Sequence, residues 1–161
     1  MNECLIDQSN NSEKISNPHI PRYESSYIVA TLAKKQLLNN SLQLVKFDTA
    51  EEENGFFKLD VETNKIEVLK NCTGLLSGNI FVDGSGGDGY VWSHIRINSK
   101  DITSNLTRII NRDYVQCSVP VVIKKLNKGD IVDMSVDYAT TGGNPSIRNS
   151  SDNTFLSIVK I

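Results

Sequence analysis

The stretch Ile131 to Tyr138 constrains the fold more than any other. Val132, Met134, Val136 and Tyr138 fall on one face of an extended chain, and Asp133, Ser135 and Asp137 fall on the other. A period of two belongs to a strand, read here as one side core and the other side wet. Val115, Cys117, Val119 and Val121 repeat the pattern, with Pro120 marking an edge, a bulge or a strand end. Further short apolar runs span Tyr27–Ala33, Leu42–Phe47, Phe56–Leu59, Lys65–Leu69, Leu75–Val82, Tyr90–Asn98, Thr107–Ile110 and Thr154–Ile161. Between them stand Asn54-Gly55, Asp60 to Asn64, Asp83 to Gly89, Asn98-Ser99, Asn127 to Asp130 and Thr141 to Pro145, all suited to tight reversal. Only Leu32 to Leu38 has helical spacing, and it is too short to stand alone. These signals predict an all-β antiparallel sandwich of about ten strands.

A chain of 161 residues with 39% hydrophobic and 22% charged residues is the size of one domain with a sizeable core. Its net charge of -2 supplies no field for nucleic acid, and no apolar run approaches a membrane span. The opening Met1 to Asp7 lacks the basic and apolar regions of a secretory signal. Cys4, Cys72 and Cys117 are odd in number and widely separated, which argues against a disulfide framework or paired metal ligands, and no cofactor is expected. Residues 1–26 are poor in apolar content and carry Pro18 and Pro21, so they read as an extended arm. Its docking points would be Ile15, Ile20 and Tyr23; the alternative is a disordered tail. Residues 27–161 form the sandwich domain. Phe155 to Ile161 is apolar on both faces, as in a central strand covered on two sides, and a partner subunit is the economical cover.

Several ordered motifs carry a resemblance. They are Phe47-Asp48-Thr49, Asn54-Gly55-Phe56, Thr63 to Val68, Gly74-Leu75-Leu76-Ser77-Gly78, Ile95 to Asn98, Leu126 to Asp130 and Thr154 to Ile158. Together they resemble the complement-q/tumour-necrosis-factor jelly-roll module, in the versions carried by phages of low-G+C bacteria and by bacterial surface proteins. The resemblance covers Tyr27 to Ile161. It implies a ten-stranded jelly roll forming a homotrimer, with the terminal strand near the threefold axis and no enzymatic activity. The implied interface is Tyr27, Val29, Phe155, Leu156, Ile158, Val159 and Ile161. Asn98-Ser99 departs from the Asn-Gly of many relatives, and no Gly-X-Y stalk precedes the module.

The residues that could carry chemistry are few. His19 and His94 are the only histidines, so a Ser-His-Asp arrangement would depend on His94, which alternation puts beside Trp92 and Arg96. Asp133 and Asp137 superficially suggest a carboxylate pair, which a polar strand face explains more simply. The Gly-rich loop from Asp83 to Gly89 lacks the ending of a phosphate-binding loop, and its two aspartates lack the spacing of an EF-hand. Lys34-Lys35, Lys124-Lys125 and Glu51-Glu52-Glu53 read as solvated surface.

The expectation that follows is a non-enzymatic homotrimer of a phage virion. The arm would attach it to a larger capsid, fibre or baseplate protein, in an assembly built in the host cytoplasm. Twelve Lys against five Arg, with seventeen Asn, suit an A/T-rich bacterial or phage genome. The alternative is a receptor-binding module for host-wall saccharide, using Tyr90, Trp92, Asp83 and Asp88.

Overall fold

The computed structural model describes residues 25–39, 41–53, 55–83, 88–110, 114–143, 145–149 and 153–161. The arm contacts Ile15, Ile20 and Tyr23 lie outside them. Every regular element among the described residues is a strand. In chain order these are β1 (Tyr27–Thr31), β2 (Gln36–Leu37), β3 (Gln43–Leu44), β4 (Thr49–Glu53), β5 (Phe57–Asp60), β6 (Lys65–Val68) and β7 (Cys72–Asp83). They continue as β8 (Gly89–Ile97), β9 (Lys100–Ile109), β10 (Tyr114–Leu126), β11 (Ile131–Thr140), β12 (Ser146–Ile147) and β13 (Phe155–Lys160).

Two antiparallel sheets form a jelly roll. The first runs β4-β1-β13-β7-β10, with β12 on the far end of β7 and β2 beyond it. The second runs β5-β6-β11-β8-β9, with β3 also on β11. Alternation builds the core. Ile28, Ala30, Leu76, Ile80, Leu156 and Ile158 from the first sheet meet Val91, Ile95, Val132, Met134, Val136 and Tyr138 from the second, all buried. Burial of each large aliphatic side chain contributes ~1.5–3 kcal/mol. The sheets approach closely where side chains are missing. A Cβ on Gly78 would sit 3.1 Å from Met134 Sδ of the facing sheet; within the first sheet, one on Gly74 would sit 2.7 Å from Leu126 Cδ1 of the adjacent strand.

One end of the sandwich is locked by its turns. Asp130 accepts from Asn98 Nδ2 at 2.9 Å and from the Asn127 backbone N–H at 2.8 Å, while Asn98 Oδ1 accepts from the Ile131 N–H at 2.9 Å. The β8–β9 hairpin is a two-residue turn in which both central residues are left-handed, Asn98 at φ 51° and Ser99 at φ 65°.

Several details depart from the sequence reading. The side of β11 expected to be wet is so only in part: Asp137 is half-buried, but Asp133 is 1% exposed, held by the Arg96 guanidinium of its register partner on β8, and Ser135, between His94 of β8 and Leu44 of β3, is 0% exposed. Thr49–Glu53 forms a strand although its glutamates read as plain surface. It pairs residue for residue with β1, and its charged side chains suit a sheet edge. Pro120, by contrast, stands at a bulge, one of the places expected for it: the register shifts between Val119 and Val122, and β10 continues to Leu126. β9 begins at Lys100, not Thr107, since the tight Asn98-Ser99 turn pairs Lys100 with Ile97 at once. Of Leu42–Phe47, only Gln43–Leu44 is a strand.

Candidate functional site

The outer face of the first sheet follows directly from the register. β13 lies between β1 and β7, so its alternation sends Leu156 and Ile158 into the chain's own core, where both are 0% exposed. Those two residues, expected at a subunit interface, are therefore core residues of a single protomer. The other expected residues do face outward: Tyr27, Val29, Phe155 and Val159 are half-buried, and Ile161 is 60% exposed. The pairings Tyr27 with Val159, Val159 with Leu75 and Leu75 with Ile123 draw one apolar row across four strands. A neighbouring row, Val29-Ser157-Ser77, is more polar. Tyr27 Oη donates to Glu51 Oε1 at 2.9 Å, and the Thr31 and Thr49 hydroxyls lie 2.7 Å apart. Leu75 and Ile123 were missed as face residues. The cross-strand register brings them in, and no single strand's pattern could show it.

At the opposite end of this sheet, Phe81 and Tyr114 stack with centroids 5.8 Å apart and planes 13° apart, and the Arg148 guanidinium lies 4.5 Å from the Tyr114 centroid. Asp83 belongs here, 3.8 Å from Lys35 Nζ. It is therefore on a different sheet from Tyr90 and Trp92. Asp88 stands at the start of β8, where its carbonyl accepts from the Thr141 N–H at 3.0 Å. The four proposed saccharide contacts do not form one cluster.

The second sheet's outer face holds the remaining candidates. Tyr90 and Trp92 are 47% and 45% exposed and point the same way from β8, ~7 Å apart along the strand. Leu106, 53% exposed, is the register partner of Trp92 on β9, and half-buried Asp137 is its partner on β11. His94 continues the line, its ring centroid 5.1 Å from that of Trp92 and its Nδ1 3.1 Å from Asp101 Oδ2. Beyond it, Arg96 Nε donates to Asp133 Oδ1 at 2.7 Å. Ser135 faces His94 in register, which superficially completes a Ser-His-Asp set. The Ser135 hydroxyl, however, is fully buried and makes no hydrogen bond to the imidazole, so it is not presented to a substrate carbonyl. Cys117 is likewise buried, with Sγ 3.0 Å from Ser93 Oγ. Burial pushes the Cys72 thiol up, against a smaller downward pull from Lys160.

No protein-family model matches the sequence, and no curated protein does. Solved structures do match. Murine APRIL at pH 8.5 superposes with a TM-score of 0.64 and 15% identity over 86% of this chain and 100% of that chain. The pH 5.0 structure of murine APRIL gives 0.65 and 12% over the same shares. Eiger TNF from S. frugiperda gives 0.58 and 12%, covering 86% of this chain and 92% of that one. The fold is thus the tumour-necrosis-factor-like jelly roll that the sequence motifs implied.

Proposed function

We propose that this chain is a non-enzymatic, homotrimeric jelly-roll module of a phage particle, joined to a larger capsid, fibre or baseplate protein through residues 1–26. The observation that carries the assembly reading is the row Tyr27-Val159-Leu75-Ile123. It is a continuous apolar band on the outer face of a sheet whose inner face already fills the core. Three copies meeting on such faces remove that band from water without disulfides. Sedimentation at micromolar concentration tests it: a trimer is expected, and a stable lone protomer refutes it. Deleting residues 1–26 should leave the trimer folded but unable to join its parent assembly; normal incorporation of the truncated protein refutes the arm's role. Imaging of intact particles locates it.

A second reading is favoured by the exposed Tyr90 and Trp92 on one strand face. Two aromatic rings at that spacing, with Asp137 paired to Trp92 across the ladder, offer stacking surfaces and a polar partner to a host-wall saccharide. Saturable binding on a glycan array, lost in Trp92→Ala, supports this reading; an array with no signal rejects it.

A further inference from the structure

A cleft of 440 Å3 opens where the segment after β1 runs beside the segment joining β3 to β4. One wall comes from Leu32 to Leu37 and the other from Lys46 and Asp48, and Asn64 of the β5–β6 turn completes the lining. Two side chains clamp the walls together. Buried Gln36 donates from Nε2 to the Leu44 carbonyl at 2.8 Å and accepts the Lys46 N–H at Oε1, also at 2.8 Å. Asp48 Oδ1 accepts from the Ala33 N–H at 2.6 Å, while the Asp48 N–H donates to the Thr31 carbonyl at 3.1 Å. The walls are thus fixed backbone, and the groups they carry are offered from set positions.

Those groups are mostly cationic. Lys34 and Lys35 stand on one wall and Lys46 on the other, against the single carboxylate of Asp48, which the Ala33 N–H already engages. Lys35 Nζ leans 3.8 Å from Asp83. Lys34 and Lys46 form no ion pair among the described residues. Ammonium groups gathered without a counter-charge repel one another, and an oxyanion seated among them removes that repulsion. Two uncommitted ammoniums match a dianion. A phosphomonoester carries about two negative charges at pH 7, more than a carboxylate or a sulfate ester. The cleft also falls within the ~300–1,000 Å3 of pockets that take whole small molecules, so it has room for more than a bare oxyanion. Buried Leu32 and Leu37, 69% exposed, give the anion's carrier an apolar wall.

We propose that this cleft binds a small organic phosphomonoester, its phosphoryl group between Lys34 and Lys46 and its carrier against Leu37. One protomer makes the whole site, and no residue of the Tyr27-Val159-Leu75-Ile123 band lines it, so the site goes beyond the assembly reading and does not depend on it. Calorimetric titration of the full chain in phosphate-free buffer at low salt tests it, with glucose 6-phosphate, adenosine monophosphate and inorganic phosphate as probes. At least one of the two esters should bind saturably at one site per protomer, and more tightly than inorganic phosphate; the tighter ester tells whether a sugar or a nucleoside is the carrier. Glucose 6-sulfate, similar in shape with less charge, should bind ~10-fold more weakly than glucose 6-phosphate. Lys34→Gln and Lys46→Gln should each weaken the tighter ester ~10-fold or more, the worth of one charge-assisted hydrogen bond. Lys100→Gln removes an exposed lysine elsewhere and should leave binding unchanged. All three lysines are exposed, and melts matching the parent's confirm that each variant is folded. No saturable binding of either ester overturns the proposal. So does inorganic phosphate bound as tightly as the esters, an adventitious ion only, or a Lys46→Gln variant that keeps the parent's affinity.

Discussion

Replacing Ser99 by glycine should stabilise the protein. The β8–β9 turn needs left-handed backbone at both central positions, which suits Asn at the first and Gly at the second. Asn98 is committed by its bonds to Asp130 and the Ile131 N–H, whereas Ser99 is exposed and sits at φ 65°. Left-handed backbone costs an L-residue ~1–2 kcal/mol. Glycine removes that cost and returns ~0.5–1 kcal/mol as extra freedom in the unfolded chain. The net gain is ~0.5–1 kcal/mol, or ~1–4 °C in Tm for a domain of this size. Urea and thermal melts at one fixed protomer concentration check it, with Ser99→Val as a counterpart expected to fall below the parent. A Ser99→Gly midpoint at or below the parent's, with unchanged m, would show that the turn does not carry the strain assigned to it.

Gly89→Ala should destabilise by at least ~2 kcal/mol in a urea melt, since a Cβ there would stand 2.1 Å from the Ala139 carbonyl oxygen; a neutral change would refute that approach. Arg96→Met strands the Asp133 carboxylate, which is 1% exposed, and should cost ~3–5 kcal/mol. Adding Asp133→Leu should recover much of that loss, and an unrelieved loss in the double variant argues against the pair. The Thr63 hydroxyl, then the Glu62 N–H, hold the Asp60 carboxyl below its usual 3.8. Because its folded pKa is depressed, its contribution is present above the unfolded value and fades as pH falls through the folded one. Asp60→Asn should therefore flatten the stability profile below about pH 4, and an unchanged acid limb refutes it.

Much of the architecture was legible because buried strands announce themselves. The alternation of Ile131 to Tyr138 specifies a strand, and Asn127 to Asp130 a tight reversal leading into it, without any knowledge of the neighbours; that the reversal carries the chain from one sheet to the other is decided by the pairing. Edge strands are quieter: Thr49–Glu53 buries nothing and is held by its ladder to β1, so its hydropathy matches that of a loop. Face assignment failed in two instructive places. Phe155 to Ile161 is apolar on both sides, and composition could not say that Leu156 and Ile158 serve the protomer while Phe155 and Val159 face out. Asp133 looked solvated because a carboxylate is normally wet; only the Arg96 guanidinium on the adjacent strand explains its burial.

The placement of β13 has a consequence for how the molecule is made. During synthesis β1 and β7 emerge well before residues 155–160, yet among the described residues the backbone ladder joins these two strands only through that late segment. Until it slots in, the sheet has a gap one strand wide, bordered by two open hydrogen-bonding rims. Maturation is thereby tied to a strand that leaves the ribosome after the other twelve. A nascent chain interrupted before it is left with an unfilled seam and no finished surface to offer a neighbour.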